Sequence, residues 1–153
     1  MKILLIAAVT LFAFPVQAAE WLGAAHVVDG GTLVVQDTEL RLFAVHAPQL
    51  EQTCRTRKGQ TQKCGQLARQ ALAATVRGVD VRCEDKGLDA QGRRVAVCFA
   101  GWMDLAGEMT ASGWALADPI IGGAYKRSET FAKARREGLW RSEFTAPWEW
   151  HEK

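Results

Sequence analysis

The 153-residue chain lacks a strong charge of either sign, because its 19 Lys and Arg residues face 17 Asp and Glu residues. A net charge of +2 argues against a histone-like polycation, so nucleic acid would have to bind through a local patch. The chain also lacks the composition of a disordered protein, since 48% of its residues are hydrophobic and 24% are charged. Its length is most simply that of one globular domain.

The chain lacks an apolar run of about 20 residues, the length that a transmembrane helix needs. Its uncharged apolar run at Ile3–Phe14 has 12 residues, follows Lys2 and precedes the small residue Ala18. This pattern is typical of a secretory signal peptide. We therefore expect a signal peptide at residues 1–18 and a periplasmic or secreted domain at residues 19–153, with no stable membrane span. An uncleaved N-terminal tether is the alternative.

The chain lacks CxxC pairs, so the spacing of a zinc knuckle is absent. Its four cysteines, Cys54, Cys64, Cys83 and Cys98, are even in number, and export would place them in an oxidising compartment. Two disulfides are expected, and four cysteines allow three ways of connecting them. Free buried thiols are the alternative.

A predicted hairpin favours one of these connectivities. Alternating apolar and polar residues predict strands at 79–83 and 94–98, and the turn between them is Asp89-Ala90-Gln91-Gly92. The centre of this turn and the midpoint of Cys83 and Cys98 both fall at 90.5. An unbulged hairpin therefore places these two cysteines opposite each other, and Cys54 then pairs with Cys64 by elimination.

The order of the predicted elements favours an α+β, mainly β, fold. Three strands are followed by a helix, two strands and further helices, which is the order of an OB-fold, a five-stranded Greek-key barrel. About three helices are expected, and a mixed α+β sandwich is the alternative. The predicted ranges are strands at 22–28, 32–36 and 40–45, a helix at 67–76 ended by Gly78, a helix at 103–112 stopped by Gly113, and a helix capped by Ser128 and closed by Gly138.

Several short motifs stand in order along nearly all of the predicted mature chain. They include Val28-Asp29-Gly30-x-Thr32, Arg41-Leu42-Phe43-x-Val45-x-Ala47-Pro48, Asp89-x-x-Gly92-Arg93, Gly113-Trp114-Ala115-Leu116-Ala117 and Gly138-Leu139-Trp140. In sequence and order these motifs resemble the staphylococcal nuclease (thermonuclease) family, in particular its exported, cysteine-containing bacterial branch. The resemblance implies an OB-fold barrel that hydrolyses phosphodiesters with one Ca²⁺ held mainly by carboxylates.

Two arginines in these motifs match the pair that the family uses to grip the phosphate. Arg41 lies on the third predicted strand, and Arg93 follows Gly92 at the hairpin turn. An arginine presents a rigid fork of donors to phosphate and stays charged at any working pH. The alternative is that each is a surface arginine in a weak ion pair.

The metal and base positions depart from the family pattern. The family has Asp-Gly-Asp-Thr where this chain has Gly31 at the third position, and Asp-x-Pro-Glu where this chain has His46-Ala47-Pro48-Gln49. Gly31 offers no ligand, and a neutral His46 suits zinc, copper or nickel better than calcium. Gln49 keeps the shape of the glutamate but cannot take up a proton near neutral pH.

These replacements predict a degenerate nuclease with little or no Ca²⁺-dependent activity and no cofactor, because losing a general base alone costs ~10²–10⁴ in rate. Arg41 and Arg93 would then bind single-stranded nucleic acid, another anion or an envelope protein, and the chain is expected to be a monomer. The first alternative is an active exported endonuclease that hydrolyses DNA or RNA with a rearranged metal site, using Asp29, Glu51 or His46. The second is a purely structural envelope protein.

Aromatic residues offer a further prediction. Tyr125 lies just before the third predicted helix, where the resemblance implies an aromatic on the substrate side, so it is a candidate stacking contact. Most tryptophans are expected in the core or anchoring the tail, with stacking on bases as the alternative. A basic loop around the first predicted disulfide is either a solvated face or an aid to anion approach.

Overall fold

The computed structural model describes residues 20–151, and the signal peptide predicted at residues 1–18 lies outside them. Strands dominate this part of the chain, together with three α-helices and short 3₁₀ helices at Gly122–Tyr125 and Gly138–Arg141. The elements are β1 (Glu20–Gly23), β2 (Ala25–Asp29), β3 (Thr32–Val35), β4 (Thr38–Leu42), β5 (Val45–His46), β6 (Cys54–Thr56), β7 (Thr61–Gln62), α1 (Cys64–Thr75), β8 (Val81–Leu88), β9 (Arg94–Ala100), β10 (Met103–Asp104), α2 (Leu105–Ala111), β11 (Leu116–Ala117), α3 (Lys126–Arg135) and β12 (Ser142–Glu143).

The main sheet has the strand order β1-β8-β9-β4-β3-β2, with β4 and β9 parallel and its other pairs antiparallel. The strand predicted at 22–28 is divided at Ala24, so that β1 pairs with β8 and β2 pairs with β3. Because two consecutive strands occupy opposite ends of the sheet order, the sheet curls into a half-barrel. The predicted OB-like, mainly β architecture with three helices is confirmed.

The β8–β9 hairpin pairs Cys83 with Cys98, and both predicted disulfides, Cys83–Cys98 and Cys54–Cys64, are present. The expectation of an unbulged hairpin is wrong, because the register shifts by one residue between Asp85 and Leu88. The turn between Leu88 and Arg94 contains an odd number of residues, and the extra residue in β8 offsets this. Cys83 and Cys98 therefore still face each other. Two disulfides indicate an oxidising, extracytoplasmic environment.

The helices begin and end at other residues than predicted. The side chain of Asp104 caps α2 by accepting hydrogen bonds from the backbone of Ala106 and Gly107. The helix therefore begins at Leu105, and the predicted first residues Met103 and Asp104 form β10 instead. Ser128 is not a cap, because a 3₁₀ helix runs directly into α3. Gly138 does not close α3, because Arg136 already leaves the helical conformation at φ 56°.

The core lies between the curled sheet and the helices, and it fixes the turn that precedes β3. Leu33, Leu40 and Leu72 are fully buried in the main cluster. A side chain at Gly30 would place its Cβ 2.6 Å from the Cβ of Ala68, so this turn packs directly on α1. Within residues 20–151, none of the helices combines the length and the apolar character needed to cross a bilayer.

Candidate functional site

A cleft of about 740 Å³ opens on one side of the barrel. It lies where the β2–β3 turn, β4, the segment after β5, the β8–β9 turn and the C-terminal segment meet. The positions that match the phosphate, base and metal residues of the family pattern all line this cleft. Its lining includes Asp29, Gly31, Arg41, His46, Gln49, Asp89, Arg93, Asp118 and Trp148.

One end of the cleft, the arginine end, contains Arg41, Arg93 and Asp89. Arg41 lies in β4 and donates from Nη1 to Oδ2 of Asp89 over 3.1 Å. Arg93 donates from Nε to the same oxygen over 2.8 Å. The other oxygen of Asp89 accepts the backbone N–H groups of Gln91 and Arg93, each at 2.9 Å. One carboxylate therefore shapes the hairpin turn and orients both guanidinium groups.

The carboxylate of Asp89 is ionised and shared by both arginines. Burial by itself disfavours the charged form of Asp89, but the hydrogen bonds from Arg93, Gln91 and Arg41 outweigh it and hold the pKa of this carboxyl below its ordinary value. Asp89 is therefore ionised near neutral pH. Because the carboxylate of Glu39, two residues before Arg41 on β4, also lines the cleft, what the arginine end offers an anion is a set of oriented hydrogen-bond donors and not an excess of positive charge.

A second group of lining residues, named the histidine end, contains His46, Asp118 and Trp148. Pairing of β5 with β11 places His46 opposite Leu116, and its Nε2 lies 2.7 Å from Oδ2 of Asp118. The ring of Trp148 meets the imidazole edge to face, with 5.4 Å between ring centroids. Sequence reasoning missed Asp118, because 72 residues separate it from His46 and no local motif links the two.

Asp118 is a rigid, ionised partner for the imidazole. Its Oδ1 accepts the backbone N–H groups of Ile120 at 2.7 Å and Ile121 at 2.9 Å. Burial opposes ionisation, but the hydrogen bonds from Ile121, His46 and Ile120 outweigh it and lower the pKa of this carboxyl. The carboxylate is thus fixed by its own loop, and only its other oxygen is turned to His46.

Gly31 and Gln49, the two other positions that differ from the family pattern, make hydrogen bonds and close contacts with the backbone around the cleft. The N–H of Gly31 donates to Oδ1 of Asp29 over 2.7 Å, so the surviving carboxylate of this turn already has a partner. Gln49 donates from Nε2 to the carbonyl of Trp150 over 3.4 Å. Its own carbonyl lies so close to α1 that a Cβ at Gly65 would come within 1.8 Å of it. Gln49 thus joins the helix start to the C-terminal segment.

The donor set of the cleft does not fit calcium, which takes about 6–8 oxygen ligands. Across the described part of the chain, no three His, Cys, Asp or Glu side chains gather in a way that would hold a metal ion. Asp29 is engaged by its turn and Asp118 by its loop and His46. Glu51, considered as a replacement ligand, is exposed and is not among the residues lining the cleft.

Tyr125 does not line the cleft. Its side chain is 8% exposed, and its hydroxyl donates to Oδ2 of Asp104 over 2.9 Å. Burial and then the hydrogen bond to Asp104 raise the pKa of this phenol above its ordinary value. This placement gives Tyr125 a packing contact with the cap of α2, and the aromatic side chain that does face the cleft is Trp148.

Residues 39–142 match the family model of the staphylococcal nuclease homologues. The chain belongs to this family. A relative of this nuclease homologue, the succinoglycan biosynthesis protein ExoI of Rhizobium meliloti (strain 1021), is 33% identical over 125 residues. The alignment covers 80% of this chain and 65% of the relative, so the chain matches slightly less than two thirds of that protein. The family match includes Arg41, His46, Gln49 and Arg93, whereas Gly31 precedes it.

Proposed function

We propose that this nuclease homologue is a degenerate nuclease that binds single-stranded nucleic acid through Arg41 and Arg93, with little or no Ca²⁺-dependent hydrolysis and no cofactor. The observation that carries the proposal is the pair of guanidinium groups held on one carboxylate, Asp89, inside a cleft whose metal positions are occupied by Gly31 and His46.

The arginine pair supports binding of a phosphodiester. Asp89 occupies only part of the donor capacity of the two guanidinium groups, each of which carries five N–H donors. A phosphate that reaches the remaining donors gains charge-assisted hydrogen bonds, worth about 1.5–3 kcal/mol each.

The histidine end argues against calcium catalysis. A phosphodiesterase of the family type needs anionic ligands for the ion and a group that takes up a proton from water. Here Gly31 contributes only a backbone N–H, which is engaged by Asp29, and the amide of Gln49 is turned towards the C-terminal segment. The surrounding carboxylates are therefore too few and too occupied to replace the missing ones.

The shape of the cleft favours a flexible single strand over a duplex. Trp148 is 41% exposed at the cleft and offers a face on which an unpaired base can stack. Such stacking is worth about 1–3 kcal/mol per base and is open only to bases that leave the helical stack. We expect a monomer acting in the periplasm or after secretion, and an acidic surface of an envelope protein is an alternative ligand for the same arginines.

Fluorescence anisotropy with labelled single-stranded DNA and RNA in EDTA tests the proposal. Arg41→Ala and Arg93→Ala are each expected to weaken binding about 10–100-fold, since each removes a charge-assisted contact. The slope of log affinity against log salt should fall by about one for each variant. Arg127→Ala, which removes an exposed arginine on α3 outside the cleft, is the charge-matched control.

Two outcomes would count against the proposal. Equal affinity of the wild-type protein and both cleft variants would show that the arginines do not hold the ligand. Cleavage that requires Ca²⁺, Mn²⁺ or Zn²⁺ and disappears in Arg41→Ala would show an active endonuclease with a rearranged metal site. An acidic polysaccharide added as a competitor separates phosphate recognition from general anion binding.

A further inference from the structure

We propose that the His46–Asp118 pair makes the cleft a metal-independent RNA-cleaving site, in which His46 takes the proton from a ribose 2′-hydroxyl. The inference rests on the proposed function, because Arg41 and Arg93 must hold the phosphate that is attacked. It goes further by assigning a reaction, a substrate class and a role to two side chains that stand where calcium ligands and a base are missing.

The proton between His46 and Asp118 belongs to the imidazole. The two backbone N–H groups of the Ile120–Ile121 segment keep Asp118 in place, and an ionised carboxylate can only accept hydrogen bonds. The proton in the 2.7 Å contact must therefore be carried by Nε2 of His46. In a neutral imidazole this leaves Nδ1 with a lone pair that can accept a proton.

The imidazole that carries this lone pair lies in the cleft and is restricted in orientation. The side chain of His46 is 27% exposed, and it lines the same cleft as Arg41 and Arg93. The ring is held on one side by Asp118 and packs edge to face on Trp148, so its orientation is restricted. An imidazole that is oriented by a carboxylate, in the same cleft as two arginines that can hold a phosphate, has the arrangement that a general base needs.

The nucleophile in this reaction is the ribose 2′-hydroxyl of the RNA itself. Without a metal ion to supply a hydroxide, attack by free water on a phosphodiester is slow, but RNA carries its own nucleophile next to the phosphorus atom. A neighbouring hydroxyl reacts with a high effective concentration, because its approach needs no further loss of translational freedom. The arginine pair stabilises the negative charge that grows on the phosphoryl oxygens during the attack.

The reaction balances without an oxidant, a reductant or a metal ion. The 2′-hydroxyl proton moves to Nδ1 of His46, the O2′–P bond forms and the P–O5′ bond breaks. The departing 5′-oxygen takes a proton from a water molecule, and the hydroxide left behind takes the proton back from His46. The products are a 2′,3′-cyclic phosphate and a free 5′-hydroxyl. DNA and 2′-O-methylated RNA bind in the same way but lack the nucleophile.

The test is cleavage of an end-labelled RNA oligonucleotide in excess EDTA, with its DNA and 2′-O-methyl counterparts as controls. Only the RNA should be cut, and its fragments should end in 2′,3′-cyclic phosphate. His46→Ala should slow cleavage about 10²–10⁴-fold while RNA affinity changes little, and added imidazole should restore part of the rate. The matched control, His26→Ala, removes an exposed histidine of β2 outside the cleft and should leave the rate unchanged.

Asp118→Asn tests the positioning role of the carboxylate. The amide can donate to Nε2 and thereby favour the tautomer with its proton on Nδ1, so kcat should fall at least about tenfold with little change in RNA affinity. RNA that binds through the arginines but is not cut overturns this inference and leaves the proposed function intact. RNA that does not bind overturns both. Cutting that is unchanged in His46→Ala shows a contaminating ribonuclease and overturns the inference.

Discussion

The arginine end and the histidine end of one cleft differ in how much of the family pattern they keep. At the arginine end, Arg41 and Arg93 stand on β4 and at the hairpin turn, and Asp89 holds them together. At the histidine end, His46 is joined to Asp118 instead of contributing to a carboxylate cluster. The residues of the first end belong to the barrel sheet and its main hairpin, whereas those of the second come from short strands and loops.

This difference shows that gripping a phosphate and holding a metal ion place unequal demands on a site. A guanidinium group can bind an anion without other ligands, so each arginine keeps its ability to bind phosphate when neighbouring residues change. A calcium site needs several anionic oxygens at once, and the loss of two of them removes most of its affinity. The histidine end is therefore the part of the cleft that can change its chemistry without a change in the arginine pair.

The largest expected effect comes from making the histidine end resemble its relatives. The combined Gly31→Asp, His46→Asp, Gln49→Glu variant should bind Ca²⁺, measured by isothermal titration calorimetry, and should cut DNA under conditions in which we expect no Ca²⁺-dependent activity from the wild-type protein. Space exists at Gly31, since a Cβ there would meet Ala47 at an ordinary 3.4 Å. Regaining a general base alone is worth ~10²–10⁴ in rate.

Its control adds Arg41→Ala, which should abolish the new cleavage but not the calcium binding. A second comparison adds Asp118→Asn, because an aspartate at position 46 would face the carboxylate that now binds His46. Failure of the triple variant to bind calcium, with its fold intact by circular dichroism, would show that the two ends differ by more than their ligand set.

Removing the two disulfides separately should show that the ends differ in stability. Cys83 and Cys98 are fully buried in the main core and join the strands that lead to Arg93, whereas Cys54 and Cys64 belong to a small cluster near Gln49. In the chain-entropy model each closed loop contributes about 3 kcal/mol. We expect Cys83→Ala with Cys98→Ala to lower the free energy of unfolding by more than this, because core packing is lost as well.

The matched variant, Cys54→Ala with Cys64→Ala, should lose less stability than the first pair, measured by urea denaturation, because its two cysteines are buried in a smaller cluster. Its oligonucleotide affinity should stay close to that of the wild-type protein, because the arginine end lies on the barrel. A larger loss of stability from this second pair would contradict the expectation that the core beneath the arginine end contributes more to stability than the smaller cluster near Gln49.

A smaller effect is expected from removing the charge of Asp89, the carboxylate that Arg41 and Arg93 share. Asp89→Asn removes the negative charge that both guanidinium groups share, while an amide oxygen can still accept the backbone N–H groups of Gln91 and Arg93. Affinity for a single-stranded oligonucleotide should rise about tenfold at low salt, roughly 1.4 kcal/mol, and this gain should shrink as salt screens the charge. Weaker binding would show that orientation by Asp89 matters more than the charge it cancels.

The smallest expected effect is the pH dependence of stability. Asp89 and Asp118 both have a lowered pKa in the folded state, so each stabilises the fold above its ordinary value near about 4, and this contribution is lost as the pH falls through the folded-state pKa. Asp89→Asn and Asp118→Asn should each be less stable than the wild-type protein near neutral pH. Each variant should also lose less stability between neutral and acidic pH, measured by thermal unfolding.

Local sequence motifs carried much of what could be predicted about the site. Arg41, His46 and Gln49 lie within nine residues of one another, and Arg93 ends a short turn motif, so the resemblance to the family could assign each of them to a position. The Cys83–Cys98 pairing followed from the symmetry of a hairpin, and it survived a bulge because the odd-numbered turn compensated for it. The start of α3 was missed, because capping at Ser128 competes with a 3₁₀ helix that the motif does not reveal.

The sequence by itself determined which side chains are present and which carboxylates are replaced, because a residue type is a local property. It also determined the order of the elements and the pairing of the cysteines, since hydrophobic periodicity and hairpin symmetry act over short distances. Only the tertiary structure decided that Asp118 meets His46 and that Tyr125 turns inward to Asp104. These contacts join residues that are far apart in the chain. They form only when the whole barrel packs, because that packing brings the separate segments together.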